Sequence, residues 1–147
     1  MTLKEQLDTA MKQAMKARDD LRLSAVRMIR STIRNREIDQ KRDLDDQGVI
    51  EVISTLSKQR RESIRLYKEG NRPDLVAKEE AELGILLGFL PTPLTGDEIT
   101  ELVARVIRET EAQGIKDMGK VMKVLTPLTA GRADGKSVSD TVRKLLS

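Results

Sequence analysis

The sequence predicts an all-α protein made of two helical bundles, an N-terminal part of four helices and a C-terminal part of three. Three observations carry this. Apolar residues recur at spacings of three and four through most of the chain, helix-start signals precede the periodic stretches, and no segment shows the alternation of a strand. At 147 residues the chain should bury roughly 68–70% of its unfolded surface, enough for a real core. With one Tyr, one Phe and no Trp, that core must be aliphatic, and six Met make part of it adaptable.

The elements follow in order. Thr2 and Glu5 have the spacing of a capping box, and behind them Leu3, Leu7, Met11, Ala14 and Met15 define a first helix to about Ala17. Asp19 or Asp20 restarts the chain, and Leu21, Ala25, Val26, Ile29 and Ile33 give the buried face of a second helix to about Gln40. Asp45 caps a third helix with Leu44 and Val49 placed as a hydrophobic staple. Its apolar face runs Val49, Val52, Ile53, Leu56, Ile64 and Tyr67, and Gly70-Asn71 before Pro73 ends it. A fourth helix carries Asp74, Glu79, Glu80 and Glu82 towards its start, where the macrodipole favours acids, and then turns apolar through Leu83, Leu86, Leu87 and Leu90. Pro91-Thr92-Pro93 cannot continue a helix, which divides the chain into 1–92 and 93–147. Thr95 and Glu98 form a second capping box, with Leu94 and Ile99 as its staple, opening a helix that Gly114 closes. Shorter helices are expected over 117–125 and 137–146.

Composition removes whole classes of chemistry. The chain has no His and no Cys, so it lacks the commonest general base, the thiol nucleophile, thiolate zinc sites and disulfides. Neither a metal nor a cofactor is expected. No basic n-region followed by an apolar h-region appears, and the longest nearly apolar run, 83–94, is too short to span a bilayer; the expected location is cytoplasmic, away from membranes. The excess of 27 basic over 24 acidic groups is mild, and only position can turn it into a patch.

Three motif-like stretches lose on context. Asp43-Leu44-Asp45-Asp46-Gln47-Gly48 resembles half an EF-hand loop, but position twelve is Ser54 where a bidentate Glu is needed, so the acids are better read as a helix start. Ala130-Gly131-Arg132-Ala133-Asp134-Gly135-Lys136-Ser137 fits a loosened Walker A pattern, yet a P-loop needs a parallel strand to aim its backbone N–H groups. What survives is a helix start near Ser137, flanked by Arg132 and Lys136, able to hold one phosphate. Gly84 and Gly88 give a GxxxG spacing, read as close packing rather than membrane dimerisation.

Two basic stripes remain. Arg27, Arg30, Arg34 and Lys41 fall within about 60° on the second helix, and Lys58, Arg61, Arg65, Lys68 and Arg72 within about 80° on the third. Both flank apolar faces, an arrangement that lets them converge on one surface and follow a phosphate backbone. The competing reading is a solvated face, since Glu37, Glu62 and Glu69 stand four residues from Lys41, Lys58 and Arg65. With only one Tyr and one Phe for base stacking, any nucleic-acid contact should favour shape and backbone over sequence.

Leu23-Ser24-Ala25-Val26-Arg27-Met28-Ile29, Lys58-Gln59-Arg60-Arg61-Glu62-Ser63-Ile64, Asp74-Leu75, Phe89-Leu90-Pro91, Asp117-Met118-Gly119-Lys120-Val121-Met122 and Gly131-Arg132-Ala133-Asp134-Gly135, in this order, resemble the YqeY family over nearly the whole chain. Its members are free-standing relatives of the C-terminal tail of GatB, one component of the tRNA-dependent amidotransferase. The resemblance implies a four-helix and a three-helix bundle, and a tail that helps hold tRNA while other domains transamidate, phosphorylate and hydrolyse glutamine. A carbon–nitrogen ligase activity would therefore be inherited by name alone. Leu128-Thr129-Ala130 departs from the family, which often has lysines there, and Gly84 and Gly88 replace larger residues.

The expectation is a non-catalytic tRNA-binding or tRNA-associated accessory module. Its phosphate contacts would be Arg27, Arg30, Arg34, Lys58, Arg61 and Arg65, with Lys120, Lys123, Arg132 and Lys136 from the small bundle. The alternatives are a protein-interaction module presenting Met118-Gly119 and Met122 to a protein partner, and an ATP-dependent ligase dependent on Lys136.

Overall fold

The computed structural model describes residues 1–147, which form seven α-helices, one 3₁₀ turn and no strand. The chain divides into two compact units, Met1–Leu90 and Pro91–Ser147.

In the first unit, α1 spans Leu3–Ala17, α2 Asp20–Gln40, α3 Asp46–Glu69 and α4 Pro73–Leu87. The starts are held by side chains: Thr2 accepts from the Glu5 N–H, Asp19 from the Arg22 N–H and Asp45 from the Gly48 N–H. The Thr2 capping box is only half formed, because the Thr2 hydroxyl also donates to the Glu5 carboxylate at 3.2 Å. Leu44 is buried beside Val49 at the head of α3, and Asp46 accepts from the Leu3 N–H at 3.0 Å, pinning the start of α1 to that of α3. The two-residue connection Arg18-Asp19 folds α1 back on α2, while α3 and α4 make a second hairpin. Leu7, Val26, Ile29, Val49, Val52 and Ile53 are almost completely buried between them, each stabilising the bundle by about 1.5–3 kcal/mol relative to exposure.

In the second unit, α5 spans Gly96–Thr110, a 3₁₀ turn Ile115–Asp117 leads into α6, Met118–Thr129, and α7 spans Gly135–Leu146. Ile99, Val103, Val106, Val121, Leu125, Val138 and Val142 form the core. The capping box of Thr95 and Glu98 is complete in both directions.

Several boundaries differ from expectation for identifiable reasons. Helix α6 runs through Pro127 instead of stopping at Leu125. Pro127 deprives the Lys123 carbonyl of a donor, but Leu125 and Thr129 remain buried one turn apart, so packing carries the helix another turn. Helix α7 begins at Gly135, two residues before the expected Ser137. Helix α5 ends at Thr110, with Glu111 in the left-handed region at φ 55°, not at Gly114. The close packing expected at Gly84 is absent, since a Cβ there would meet nothing within 4 Å.

Candidate functional site

A concavity lies in the first unit between α1 and α2, an open groove of about 570 Å³. It exists because the two helices are antiparallel and their facing surfaces carry long polar side chains above an apolar floor. Lys4 pairs with Glu37, and Arg30 Nη2 lies 3.1 Å from Asp8 Oδ1, so two ion pairs cross the groove. Glu37 also accepts from the Leu44 N–H at 2.7 Å. The hydrogen bond from Lys4, followed by that from Leu44, holds the Glu37 carboxyl below the ordinary carboxylate range. Leu7 and Ile33 form the floor with half-buried Met11, and the Ser31 hydroxyl completes the lining. Arg27 and Arg34 also line the groove; both are exposed and make no ion pair. The structure thus brings together three of the predicted contacts, Arg27, Arg30 and Arg34. It adds Lys4, Asp8 and Glu37, which sequence reasoning missed. The signal was the two-residue connection, which places residues near 4–11 opposite residues near 27–37 in an antiparallel hairpin.

Lys58, Arg61 and Arg65 do not line that groove. On α2, Arg60 of α3 approaches Met28, with Nη2 3.6 Å from Sδ, while the arginines face α1. Met28 and Arg30 stand roughly 200° apart around the helix axis, so the α2 stripe and the α3 contact occupy opposite flanks. Lys58, Arg61 and Arg65 thus do not join Arg27, Arg30 and Arg34 in the groove. Lys58 and Arg61 are exposed and unpaired. Arg65 is engaged by Glu62 at 2.5 Å and Glu69 at 2.8 Å; the bond to Glu62 comes first among the causes that raise its pKa. Glu62 is thereby drawn away from Lys58, and Glu37 from Lys41, so only the pair with Glu69 forms as the spacing suggested.

In the second unit, Lys120, Lys123 and Lys136 are exposed without ion pairs. Arg132 is half-buried, and its Nε donates to the Thr92 carbonyl at 3.1 Å while its own carbonyl accepts from the Leu94 N–H at 2.8 Å. It serves to close the bundle. The Walker-like stretch is a connection between α6 and α7, with Gly131 at φ 74° and no strand before it. Asp134 occupies the N-cap position of α7 without a side-chain capping hydrogen bond, which places a negative charge beside that helix start. Met118 and Met122 pack against the core rather than presenting a free surface; the exposed apolar residues of α6 are Val124 and Leu128.

A model of the family described as Yqey-like protein matches residues 4–146. Among curated relatives, the protein named Altered inheritance of mitochondria protein 41, mitochondrial, from Lachancea thermotolerans is 36% identical over 117 residues, 75% of this chain and 63% of that protein. Its namesake from Kluyveromyces lactis is 40% identical over 99 residues, 67% of this chain and 53% of the relative. That from Vanderwaltozyma polyspora is 43% identical over 81 residues, 54% of this chain and 44% of the relative. The matched region thus spans between 44% and 63% of these relatives. Their names place them in mitochondria, which overturns the cytoplasmic location expected from the sequence. That expectation rested on a missing secretory h-region, which does not bear on mitochondrial transit segments, because those are amphipathic and arginine-rich.

Proposed function

This chain belongs to the Yqey-like protein family, and on that premise we propose that it acts as a non-catalytic accessory module associating with tRNA through phosphate contacts on its N-terminal bundle. The observation that supports the reading is the pair of exposed, unpaired guanidinium groups of Arg27 and Arg34 in the α1–α2 groove. A guanidinium without an internal carboxylate can engage phosphate without first breaking an ion pair. Lys58 and Arg61 offer further free charge on the α3 flank, whereas Arg65, Arg30 and Arg132 are engaged within the protein. The proposed contacts therefore rank Arg27, Arg34, Lys58 and Arg61 first, with Lys120, Lys123 and Lys136 as second contacts from the small bundle.

Titrating tRNA binding against salt tests this. Each phosphate contact contributes roughly 0.7–0.9 to the slope of log affinity against log salt, so Arg27→Ala with Arg34→Ala should lower the slope by about 1.4–1.8. No binding at low salt, or a slope indifferent to this pair, refutes the proposal.

A second reading, a protein-interaction module, is supported by Val124 and Leu128, exposed one turn apart on α6. It predicts a partner captured without nucleic acid and lost on Val124→Asp, with Arg27→Ala and Arg34→Ala neutral.

A further inference from the structure

The α1–α2 groove holds more than a phosphate track requires. A surface that only follows phosphates needs cations and backbone N–H donors, yet this one carries two carboxylates, Asp8 and Glu37, among its cations. Each is already neutralised, Asp8 by Arg30 and Glu37 by Lys4. An ion pair of this kind leaves acceptor capacity on the carboxylate, which a phosphate cannot use and a hydroxyl or amino group can. Beneath them half-buried Met11 supplies the apolar, polarisable surface, with its Sδ 2.7 Å from Arg30 Nη1, while Leu7 and Ile33 lie almost wholly buried under it. Unpaired cations, spare anionic acceptors and an apolar floor lie within one groove of about 570 Å³, inside the ordinary size range of small-ligand sites.

The ligand that answers all three features bears an anion, hydrogen-bond donors and a flat apolar face together. We infer that the groove seats one ribonucleotide unit, its phosphate on Arg27 and Arg34, its ribose hydroxyls on the carboxylates of Asp8 and Glu37, and its base against Met11. The unit is either a free ribonucleotide or one nucleotide of an RNA strand. In the second case the inference rests on the tRNA reading and sharpens it, turning a backbone contact into discrimination of RNA from DNA through the 2′-hydroxyl. Arg34 is central, because on α2 it lies between Arg30 and Glu37, the members of the two ion pairs.

Asp8 provides a test whose sign differs between the readings. Its side chain is 52% exposed, so Asp8→Ala should fold. Titrations with adenosine 5′-monophosphate, its 2′-deoxy analogue and inorganic phosphate are followed by amide NMR shifts around Ser31 and Arg34. Binding of tRNA is compared with binding of DNA of the same sequence. The expected result is that the ribonucleotide binds about tenfold tighter than the deoxy form, as loss of a hydrogen bond to a charged acceptor predicts, and that Asp8→Ala brings the ratio to about one. If the groove were a phosphate track alone, Asp8→Ala would remove a negative charge and tighten all three ligands equally, overturning the inference. Equal binding of the two nucleotides by the unmodified protein, or competition by phosphate alone as effective as by nucleotide, would also overturn it. Loss of tRNA binding on Arg27→Ala and Arg34→Ala, with no nucleotide effect at Ser31, would leave the tRNA reading standing and this one refuted. A seated ribonucleotide with no tRNA binding would do the reverse.

Discussion

Arg60 lies one residue from Arg61 in the same basic run, yet the structure gives it a different task, and replacing it separates the two. Its Nε is 3.0 Å from Glu82 Oε2 and 3.5 Å from Glu79 Oε2, across the seam between α3 and α4. The three side chains are only 19%, 15% and 14% exposed for Arg60, Glu82 and Glu79. Neither contact has hydrogen-bond alignment, so Arg60 Nε and Glu79 Oε2 are buried without a hydrogen bond. Arg60→Ala leaves two carboxylates facing each other in that seam. Breaking a fully buried pair costs about 3–5 kcal/mol, and the residual exposure and poor alignment here reduce that to about 2–3 kcal/mol. The two units make whole-chain unfolding a poor two-state signal. Tyr67, however, is the single tyrosine in a chain without tryptophan and lies in α3, so its fluorescence in urea reports the first unit alone. The triple variant Arg60→Met, Glu79→Gln, Glu82→Gln removes all three charges and should recover most of the loss. A cost under about 0.5 kcal/mol for Arg60→Ala, or a triple variant as unstable as the single one, would refute the buried-strut account.

Gly84→Ala should stabilise the first unit by about 0.5 kcal/mol in urea melts, because a Cβ meets nothing within 4 Å in the last turn of α4 and alanine favours the helix. Glu111→Gly should stabilise the second unit by about 1 kcal/mol in thermal melts by relieving a left-handed residue with a side chain at the end of α5. Glu37 has a folded pKa below its unfolded one, so its stabilising effect is fully present above the ordinary carboxylate range and is lost as pH falls through the folded value. Urea melts across that acid range should show the unmodified protein losing its advantage over Glu37→Gln, with the two curves converging at low pH.

Local chemistry was legible where local chemistry decides. Asp45 caps α3, Thr95 and Glu98 form their box, and most of the apolar residues at spacings of three and four are those found buried, with Met15 and Leu87 exposed at the edges of their faces. Boundaries failed where tertiary packing overrode a local signal. Pro127 should stop α6, but burial of Leu125 and Thr129 carries the helix past it. Glycine was expected to close α5, and Glu111 closes it because the left-handed turn comes where the apolar face ends. Ion pairing was the least legible layer. The sequence offers Glu62 to Lys58 and Glu37 to Lys41, but Arg65 takes the first and Lys4, 33 residues away, takes the second. The groove was missed for the same reason, since its two walls come from different helices and only the short Arg18-Asp19 connection signals that they face each other.

These pairings decide which basic residues an acidic partner can use. Arg27, Arg30, Arg34, Lys58, Arg60, Arg61 and Arg65 look equivalent when only their spacing is known. In the folded unit Arg60 is a strut, Arg65 is held by Glu62 and Glu69, and Arg30 is held by Asp8. A ligand that recruits any of these must first give up an internal contact. That exchange recovers little at an exposed pair, where the median worth is about 0–1 kcal/mol, and carries a larger penalty at Arg60. The free charge of the stripes thus reduces to Arg27 and Arg34 on α2, Lys41 at its C-cap, and Lys58 and Arg61 on α3. Between Arg27 and Arg34 the helix rises about 10.5 Å, and the Asp8–Arg30 pair fills that interval. Any anion spanning the two free arginines must therefore pass beside a carboxylate. Because Arg30 neutralises that carboxylate, a phosphate can lie beside it while a ribose hydroxyl uses its spare acceptor capacity.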